Sequence, residues 1–320
     1  MHASSIVVKI DFDMKLSIIT TLFSSSPYLE AFFKSASFVA RDFAEEDYEI
    51  IFVNDESPDN SLMVAIELAK EDSRIKIIDL SRNFGHHKAM MTGMKYSSGD
   101  IVFLLDSDLE ESPEYLKDFF NEMNLTGADV VYGVQDSRKG GRFEKLSGAM
   151  FWKFLKIITG LPFQKNLSTM RLMKKNYVEA LTQHNEHEIF IAGLWLITGF
   201  NQRPIFIKKD SKDKSSYSFR SKISLLVNSV TSFSNKPLVA IFYAGFFIFI
   251  SSLGYIFYLI YRKLFLLQSL AGWTSVMASV WFLGGLIISF LGIIGIYLSK
   301  MFIETKNRPY SIVKKVHEYK

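Results

Sequence analysis

Two aspartates separated by one residue directly follow an apolar run near the middle of the chain. The run is Ile101–Leu105, and the sequence after it is Asp106-Ser107-Asp108. Carboxylate oxygens are the ligands that Mg²⁺ and Mn²⁺ prefer, and such an ion can neutralise the charge that grows on a departing diphosphate. The pattern therefore predicts that Asp106 and Asp108 hold a divalent metal. The alternative is a pair of turn or capping aspartates, which produce the same spacing.

A second acidic segment, Asn54–Asp59, follows the apolar run Glu49–Val53. Asp55 stands at the end of that run, where its carboxylate can accept hydrogen bonds from a nucleobase. For Asp59 the alternative is the N-cap of the following helix, since aspartate is a preferred capping residue. We therefore expect Asp55, more than Asp59, to belong to a ligand site.

Short apolar runs alternate with stretches of helical spacing in the N-terminal part of the chain. The predicted strands are Leu16–Thr21, Glu49–Val53, Ile75–Asp79, Ile101–Leu105 and Asp129–Tyr132. The predicted helices are Pro27–Phe43, Asp59–Glu71, His86–Tyr96 and Pro113–Asn124. This alternation is typical of an α/β fold with a mainly parallel sheet covered on both faces. Ligands of such sheets bind at the carboxyl ends of the strands, so we expect the site at the loops of Asn54, Ser81 and Asp106.

Two segments near the C-terminus, Leu238–Tyr261 and Val276–Lys300, are long and apolar. About 20 helical residues cross the ~30 Å core of a bilayer, so each segment is long enough to span a membrane. The outer flanks carry more Lys and Arg than the linker between the segments, which places both flanks in the cytoplasm. The sequence thus predicts an integral protein of the cytoplasmic (inner) membrane. A buried hairpin of a soluble protein is the alternative.

These patterns divide the chain into five parts. We predict an N-terminal extension (1–15), a cytoplasmic catalytic domain (16–218), a juxtamembrane amphipathic helix (219–236), a two-helix transmembrane hairpin (237–300) and a basic cytoplasmic tail (301–320). A further amphipathic stretch, 143–158, has the same design as the juxtamembrane helix. Both are compatible with a core-facing helix or with a helix in the membrane interface. For the juxtamembrane helix, which leads directly into the membrane segments, we favour the interface.

The composition excludes several kinds of chemistry. The 320 residues include no cysteine, so disulfides, thiolate catalysis and cysteine-ligated metals are excluded. The net charge is +4, and Lys and Arg cluster beside the apolar segments. Such clusters favour anionic lipid headgroups as partners over nucleic acid, for which no motif is present. The sequence leaves open whether the chain forms a homo-oligomer.

An ordered set of short motifs resembles a known family. Residues 53–57 read VNDES, residues 81–85 read SRNFG, residues 106–114 read DSDLEESPE, and residues 171–173 read RLM. Further matches are SSYSFR at 215–220, PL at 237–238 and KNRPY at 306–310. In this order and spacing they look like glycosyltransferase family 2, in the branch of dolichol-phosphate mannose synthase and undecaprenyl-phosphate glycosyltransferases. The similarity extends from Leu16 to the end of the chain.

The resemblance implies a fold, a reaction and a set of site residues. The fold would be the Rossmann-like GT-A (nucleotide-diphospho-sugar transferase) fold, with interfacial amphipathic helices and two transmembrane helices. The reaction would be inverting transfer of a monosaccharide from a nucleotide-sugar to a polyprenyl phosphate, undecaprenyl or dolichyl phosphate, with Mg²⁺ or Mn²⁺ as cofactor. The residues implied are Asp106 and Asp108 for metal and catalysis, Arg171 near the phosphates, Asp55, Arg82, Asn83 and Asp106 for the nucleotide, and Arg138, Lys145 and Arg220 for the acceptor phosphate.

The chain also departs from the family pattern. Many relatives have an aspartate two residues before the arginine that matches Arg171, whereas this chain has Thr169. A phosphate acceptor is already largely ionised near neutral pH, so it needs alignment more than a general base. The other hypotheses are transfer to a different lipid or glycan acceptor, which would require a base, and a non-catalytic membrane scaffold. The adjacent His86 and His87 would point about 100° apart on a helix, so we do not expect them to share a metal.

Overall fold

The computed structural model describes residues 14–135, 158, 160, 164, 166–208, 230–231, 234–265 and 272–319. The described residues belong to two compact units. The first contains a mixed sheet with helices, and it includes residues 309–319 from the C-terminal end of the chain. The second contains two long apolar helices.

The first unit is organised around an eight-stranded sheet in the part of the chain that the structure describes. Its strands are β1 (Leu16–Leu22), β2 (Tyr48–Asn54), β3 (Ile75–Leu80), β4 (Ile101–Leu104), β5 (Val130–Gln135), β6 (Leu167–Lys174), β7 (Gln202–Ile207) and β8 (Val313–Glu318). Their order is β7-β5-β6-β4-β1-β2-β3-β8. Strands β3, β2, β1 and β4 are parallel neighbours, as predicted. Strands β6 and β8 run against their neighbours, so the sheet is mixed, which the sequence did not predict.

Helices connect the strands and cover the sheet. They are α1 (Ser26–Ala44), α2 (Ser61–Glu71), α3 (His86–Lys95), α4 (Tyr115–Thr126), α5 (Lys175–Leu181) and α6 (Ile191–Ile197). The first four agree with the predicted helices to within two residues at each end. Every residue of β2 is buried, as expected for a strand with helices on both faces.

Helix α3 lies unusually close to the sheet, and Gly93 makes this possible. A Cβ atom at Gly93 would lie 2.6 Å from Ile19 Cγ2 and 2.9 Å from Val53 Cγ2, closer than side chains tolerate. The glycine therefore lets the helix backbone rest directly on β1 and β2. As a result, the first residues of α3 lie near the carboxyl ends of these strands.

The C-terminal segment is part of the sheet. Strand β8 pairs antiparallel with β3, and Ser81 N donates to Ile312 O at 2.9 Å. Ser311 Oγ also lies 2.7 Å from Thr92 Oγ1 on α3. The sequence described this region only as a basic tail, because Val-Lys-Lys-Val-His-Glu is a polar edge strand without a clear apolar alternation.

A buried carboxylate ties together the amino ends of three strands. Glu49 Oε1 accepts hydrogen bonds from Ser17 Oγ at 2.6 Å, from Ser98 N at 2.7 Å and from Ser98 Oγ at 2.8 Å, and Glu49 Oε2 lies 3.5 Å from Lys76 Nζ. Burial alone would raise the pKa of Glu49, but the hydrogen bonds outweigh it and hold the pKa below its usual value. The charged form is therefore stabilised by folding.

Replacing Glu49 with glutamine should lower the melting temperature by several degrees. A hydrogen bond to a charged group contributes about 1.5–3 kcal/mol, and the substitution removes the charge from three of them. Because the pKa is depressed in the folded state, the stabilisation is present above the ordinary Glu pKa of about 4.3 and is lost as the pH falls through the folded pKa. The difference in melting temperature should therefore shrink below about pH 4.3. Glu67→Gln, which removes an exposed ion pair with Lys70, is the control and should change the melting temperature by less than about a degree. Equal falls in melting temperature in the Glu49 and Glu67 variants would contradict the stabilising role of Glu49.

The second unit contains α7 (Lys236–Phe265) and α8 (Trp273–Thr305). Within α8, the segment Ser279–Thr305 is long and apolar enough to cross a membrane, judged by length and composition. The apolar segment of α7, Lys236–Ser252, is shorter. Large apolar side chains on both helices are exposed, among them Phe247 at 73% and Trp281 at 78%.

Candidate active site

The acidic pair lies where the strand order reverses. Strands β3, β2 and β1 extend to one side and β4 lies on the other side of β1, so the crevice beyond β1 and β4 is the position where ligands bind in open α/β sheets. Asp106-Ser107-Asp108 begins two residues after the end of β4. The predicted location of this motif, at the carboxyl end of a buried strand, is confirmed.

The middle residue of the motif anchors it to the fold. Ser107 is 5% exposed, and its Oγ lies within hydrogen-bonding distance of Thr21 O at 3.2 Å and of Ser25 Oγ at 2.9 Å. Asp106 and Asp108 are both partly exposed. Asp108 Oδ1 accepts a hydrogen bond from Glu110 N at 3.0 Å, which orders the turn after the strand. The serine thus fixes the loop between the two partly exposed aspartates.

Asp106 contacts side chains from two other elements. Thr169 Oγ1 on β6 donates to Asp106 Oδ2 at 2.8 Å, and His86 Nε2, at the start of α3, lies 3.4 Å from Asp106 Oδ1. On its other side the His86 ring bonds Thr21, with Nδ1 2.9 Å from the threonine Oγ1. The sequence indicated that His86 lies at the surface or beside a site residue rather than ligating a metal, and it did not predict the contact with Asp106. Its position as the first residue of a helix that follows a strand was the available signal.

Asp55 organises the loop that follows β3. The residue is 2% exposed, and its carboxylate accepts hydrogen bonds from Phe84 N at 2.7 Å and from Gly85 N at 2.9 Å. Asn83 Nδ2 donates to Asp55 O at 3.2 Å, and the Arg82 guanidinium lies 4.3 Å from the centre of the Phe84 ring. The structure therefore brings Asp55, in the loop after β2, into contact with the loop after β3 that contains Arg82 and Asn83. The role of Asp55 observed here is to hold that loop, and its contact with a base stays a prediction.

Asp59 binds the start of α2, as its alternative interpretation suggested. Its Oδ1 accepts from Ser61 N at 3.0 Å, and its Oδ2 accepts from Ser26 N at 3.0 Å. The helix begins at Ser61 with Asn60 as the N-cap residue, so Asp59 lies one residue before the cap. The carboxylate thus connects the first turns of α1 and α2.

Arg171 is buried rather than open to the crevice. It is 1% exposed, and its guanidinium carbon lies 3.0 Å from the centre of the Trp195 ring and 5.9 Å from that of Tyr132. Among the described residues, no hydrogen-bond acceptor contacts its Nε or Nη1 atoms. Burial lowers the pKa of Arg171 to about 9, and burial likewise raises the pKa of the neighbouring Tyr177 to about 12. Arg171 pairs with Leu104 across β6 and β4, so it is close in the sheet to the acidic motif.

The described acidic residues could form only part of a metal coordination shell. The described residues include no group of three or more His, Asp or Glu side chains that could hold an ion by themselves. Mg²⁺ and Mn²⁺ commonly use one or two carboxylates together with substrate phosphates. Asp106 and Asp108 offer this kind of donor set. The predicted acceptor residues Arg138, Lys145 and Arg220, and most of the amphipathic stretches 143–158 and 219–236, lie outside the described residues.

Comparison with known proteins identifies the family. Residues 17–182 match the family model described as glycosyl transferase family 2. A Mycobacterium tuberculosis protein named as a glycosyltransferase is 48% identical over 95% of this chain and 89% of its own length. The Shigella flexneri SfII prophage-derived bactoprenol glucosyl transferase is 29% identical over 95% of this chain and 99% of its own length.

Solved structures add a looser likeness. Staphylococcus aureus TarS in complex with UDP-GlcNAc has a TM-score of 0.46 at 17% identity, covering 69% of this chain and 68% of the other. The family match and the named relatives confirm the predicted branch. The chain is therefore a glycosyltransferase with a mixed-sheet GT-A fold, and it belongs to glycosyltransferase family 2.

Proposed function

We propose that this enzyme transfers a monosaccharide from a nucleotide-sugar to a polyprenyl phosphate at the cytoplasmic face of a membrane. The observation that carries the proposal is the placement of Asp106 and Asp108 at the reversal point of the sheet, in a chain that also has long exposed apolar helices. A bactoprenol glucosyl transferase that matches nearly the whole chain supports the lipid acceptor, because bactoprenol is a polyprenol.

The loop of residues 82–85 and the acidic motif would bind the two ends of the donor nucleotide. The Asp55 carboxylate holds this loop in place by accepting hydrogen bonds from the loop's backbone amides. Arg82 and Asn83 remain exposed beside the crevice. Asp106 and Asp108 would ligate a Mg²⁺ or Mn²⁺ ion, which supplies charge neutralisation for the departing diphosphate. Arg171 lies on the adjacent strand β6, where its buried charge would act on a donor phosphate through the protein interior rather than by direct contact.

The acceptor would attack without a general base. A phosphate oxygen is already ionised near neutral pH, so the chain has only to align it with the sugar carbon. In-line attack opposite the leaving diphosphate inverts the configuration at that carbon. Thr169 Oγ1, which contacts Asp106, is consistent with this scheme, because the scheme requires no carboxylate at that position.

The apolar helices α7 and α8 would form the transmembrane hairpin that delivers the enzyme to its lipid acceptor. Exposed apolar surfaces of this extent are covered in a functional protein, and lipid covers them without any partner chain. Two spans would leave residues 16–218 and the strand β8 on one side of the membrane, and positive-inside asymmetry favours the cytoplasm as that side. We accordingly propose an integral protein of the cytoplasmic membrane.

The proposal is tested by reconstituting the full chain in vesicles with undecaprenyl phosphate and a panel of radiolabelled UDP- and GDP-sugars. We expect a labelled polyprenyl-phosphate sugar of inverted anomeric configuration, no product with EDTA, and recovery with Mn²⁺ or Mg²⁺. Vesicles with undecaprenol, which lacks the phosphate, or with diacylglycerol serve as matched acceptor controls. Product with either control lipid but not with undecaprenyl phosphate would refute the proposed acceptor.

A further inference from the structure

Both carboxylate oxygens of Asp106 face polar side chains from other elements. Thr169 Oγ1 lies 2.8 Å from Oδ2, and His86 Nε2 lies 3.4 Å from Oδ1. The histidine is itself held by Thr21, whose Oγ1 lies 2.9 Å from Nδ1. Thr169 on β6 and His86 on α3 contact the carboxylate directly, and Thr21 on β1 supports the histidine.

The contacts determine which ring nitrogen of His86 carries the proton in the neutral form. If the proton were on Nδ1, the lone pair of Nε2 would face Asp106 Oδ1, and two acceptors would repel each other. With the proton on Nε2, the ring faces the carboxylate as a donor, and the Thr21 hydroxyl donates to Nδ1. The Thr21 hydroxyl thus orients the His86 ring so that the Nε2 proton faces the Asp106 carboxylate in an electrostatic contact at 3.4 Å.

We propose that His86, oriented by Thr21, and Thr169 are positioning residues that fix the Asp106 carboxylate for the divalent ion bound with the donor diphosphate. This inference rests on the proposed function. Carboxylates that ligate a metal are commonly hydrogen-bonded by neighbouring side chains, and removal of such a neighbour typically weakens metal binding 10–100-fold.

The exposure of His86 argues for a role in the site rather than in the core. Its side chain is 45% exposed, and it stands in the first turn of α3, where its removal leaves the contacts of Gly93 with the sheet intact. Thr21 and Thr169 are each only partly buried. Substitutions at these positions should therefore alter the site without unfolding the domain.

The inference is tested with purified full chain by measuring Mn²⁺ binding in the presence of UDP or GDP, using the electron paramagnetic resonance signal of free Mn²⁺. We expect His86→Ala to weaken Mn²⁺ binding 10–100-fold. Thr21→Val, which keeps the side-chain shape but removes the hydroxyl, should change binding in the same direction by a smaller factor. His86→Gln retains an N–H donor and should recover part of the loss.

The matched control is His184→Gln, because the His184 ring contacts Thr198 rather than an acidic residue. This variant should bind Mn²⁺ as the parent chain does. If the parent chain binds Mn²⁺ with nucleotide and the His86 and Thr21 variants bind it equally well, the inference is wrong while the proposed function stands. A loss of binding that merely follows a fall in melting temperature also overturns it. Absence of Mn²⁺ binding in the parent chain would overturn both.

Discussion

Asp108→Asn should reduce sugar transfer by about 10²–10³-fold, the magnitude expected when one electrostatic group that stabilises developing charge is lost. Asparagine keeps the Oδ1 atom that accepts from Glu110 N, so the turn after β4 should persist. The variant therefore separates the charge from the local structure. Asp106→Asn should have an effect of similar size, because it removes the charge that faces His86 and Thr169. Single-turnover transfer from the nucleotide-sugar identified in vesicles, measured at saturating Mn²⁺, is the appropriate assay.

Asp100→Asn makes the same chemical change at an exposed residue near the amino ends of the strands, at the opposite end of the sheet from the acidic motif. There Asp100 Oδ2 accepts from Lys15 N at 3.1 Å, before β4 begins. We expect this variant to transfer sugar at the parental rate and all three variants to melt within a few degrees of the parent chain. If Asp108→Asn retained transfer within threefold of the parent chain, with unchanged dependence on Mn²⁺, Asp108 would not be a metal ligand.

The central strands could be predicted from the sequence because burial on both faces leaves a continuous apolar run. Residues 49–53 and 101–105 are almost entirely apolar, and the structure buries every one of them. The edge strands β7 and β8 and the antiparallel strand β6 were not predicted. β7 and β8 are partly exposed edge strands with mixed composition, and β6 carries the polar Ser168, Thr169 and Arg171. In such segments the apolar pattern that marks a strand is absent.

The candidate site divides in the same way. The positions of Asp55 and Asp106 followed from their places after buried strands. The contact between His86 and Asp106 depends on how closely α3 approaches β1, which Gly93 controls through packing and not through a local motif. The burial of Arg171 depends on Trp195, which is 24 residues away in the sequence and contacts it through the tertiary fold.

Arg171→Met should both raise the melting temperature by several degrees and reduce sugar transfer. The guanidinium is 1% exposed with two nitrogen atoms that lack acceptors among the described residues, and its pKa is lowered to about 9 by burial. A base whose pKa falls on folding destabilises the folded state at neutral pH, and this penalty is relieved only as the pH rises above about 9. Stacking on Trp195 contributes about 0.5–2 kcal/mol, less than the several kcal/mol that burial of the charge costs.

Methionine fills the same space beside Trp195 without a charge, so the stability should increase. The chain can keep a destabilising buried arginine if its charge acts on an anionic group of the substrate. In that case sugar transfer by Arg171→Met should fall by about 10²-fold. Arg203→Met, on the exposed face of β7, is the matched control and should change neither quantity. Thermal unfolding and single-turnover transfer of the same preparations distinguish the cases. If Arg171→Met is more stable and fully active, Arg171 does not act on the substrate. If the variant is less stable, the stack of Arg171 on Trp195 stabilises the fold by more than burial of the charge costs.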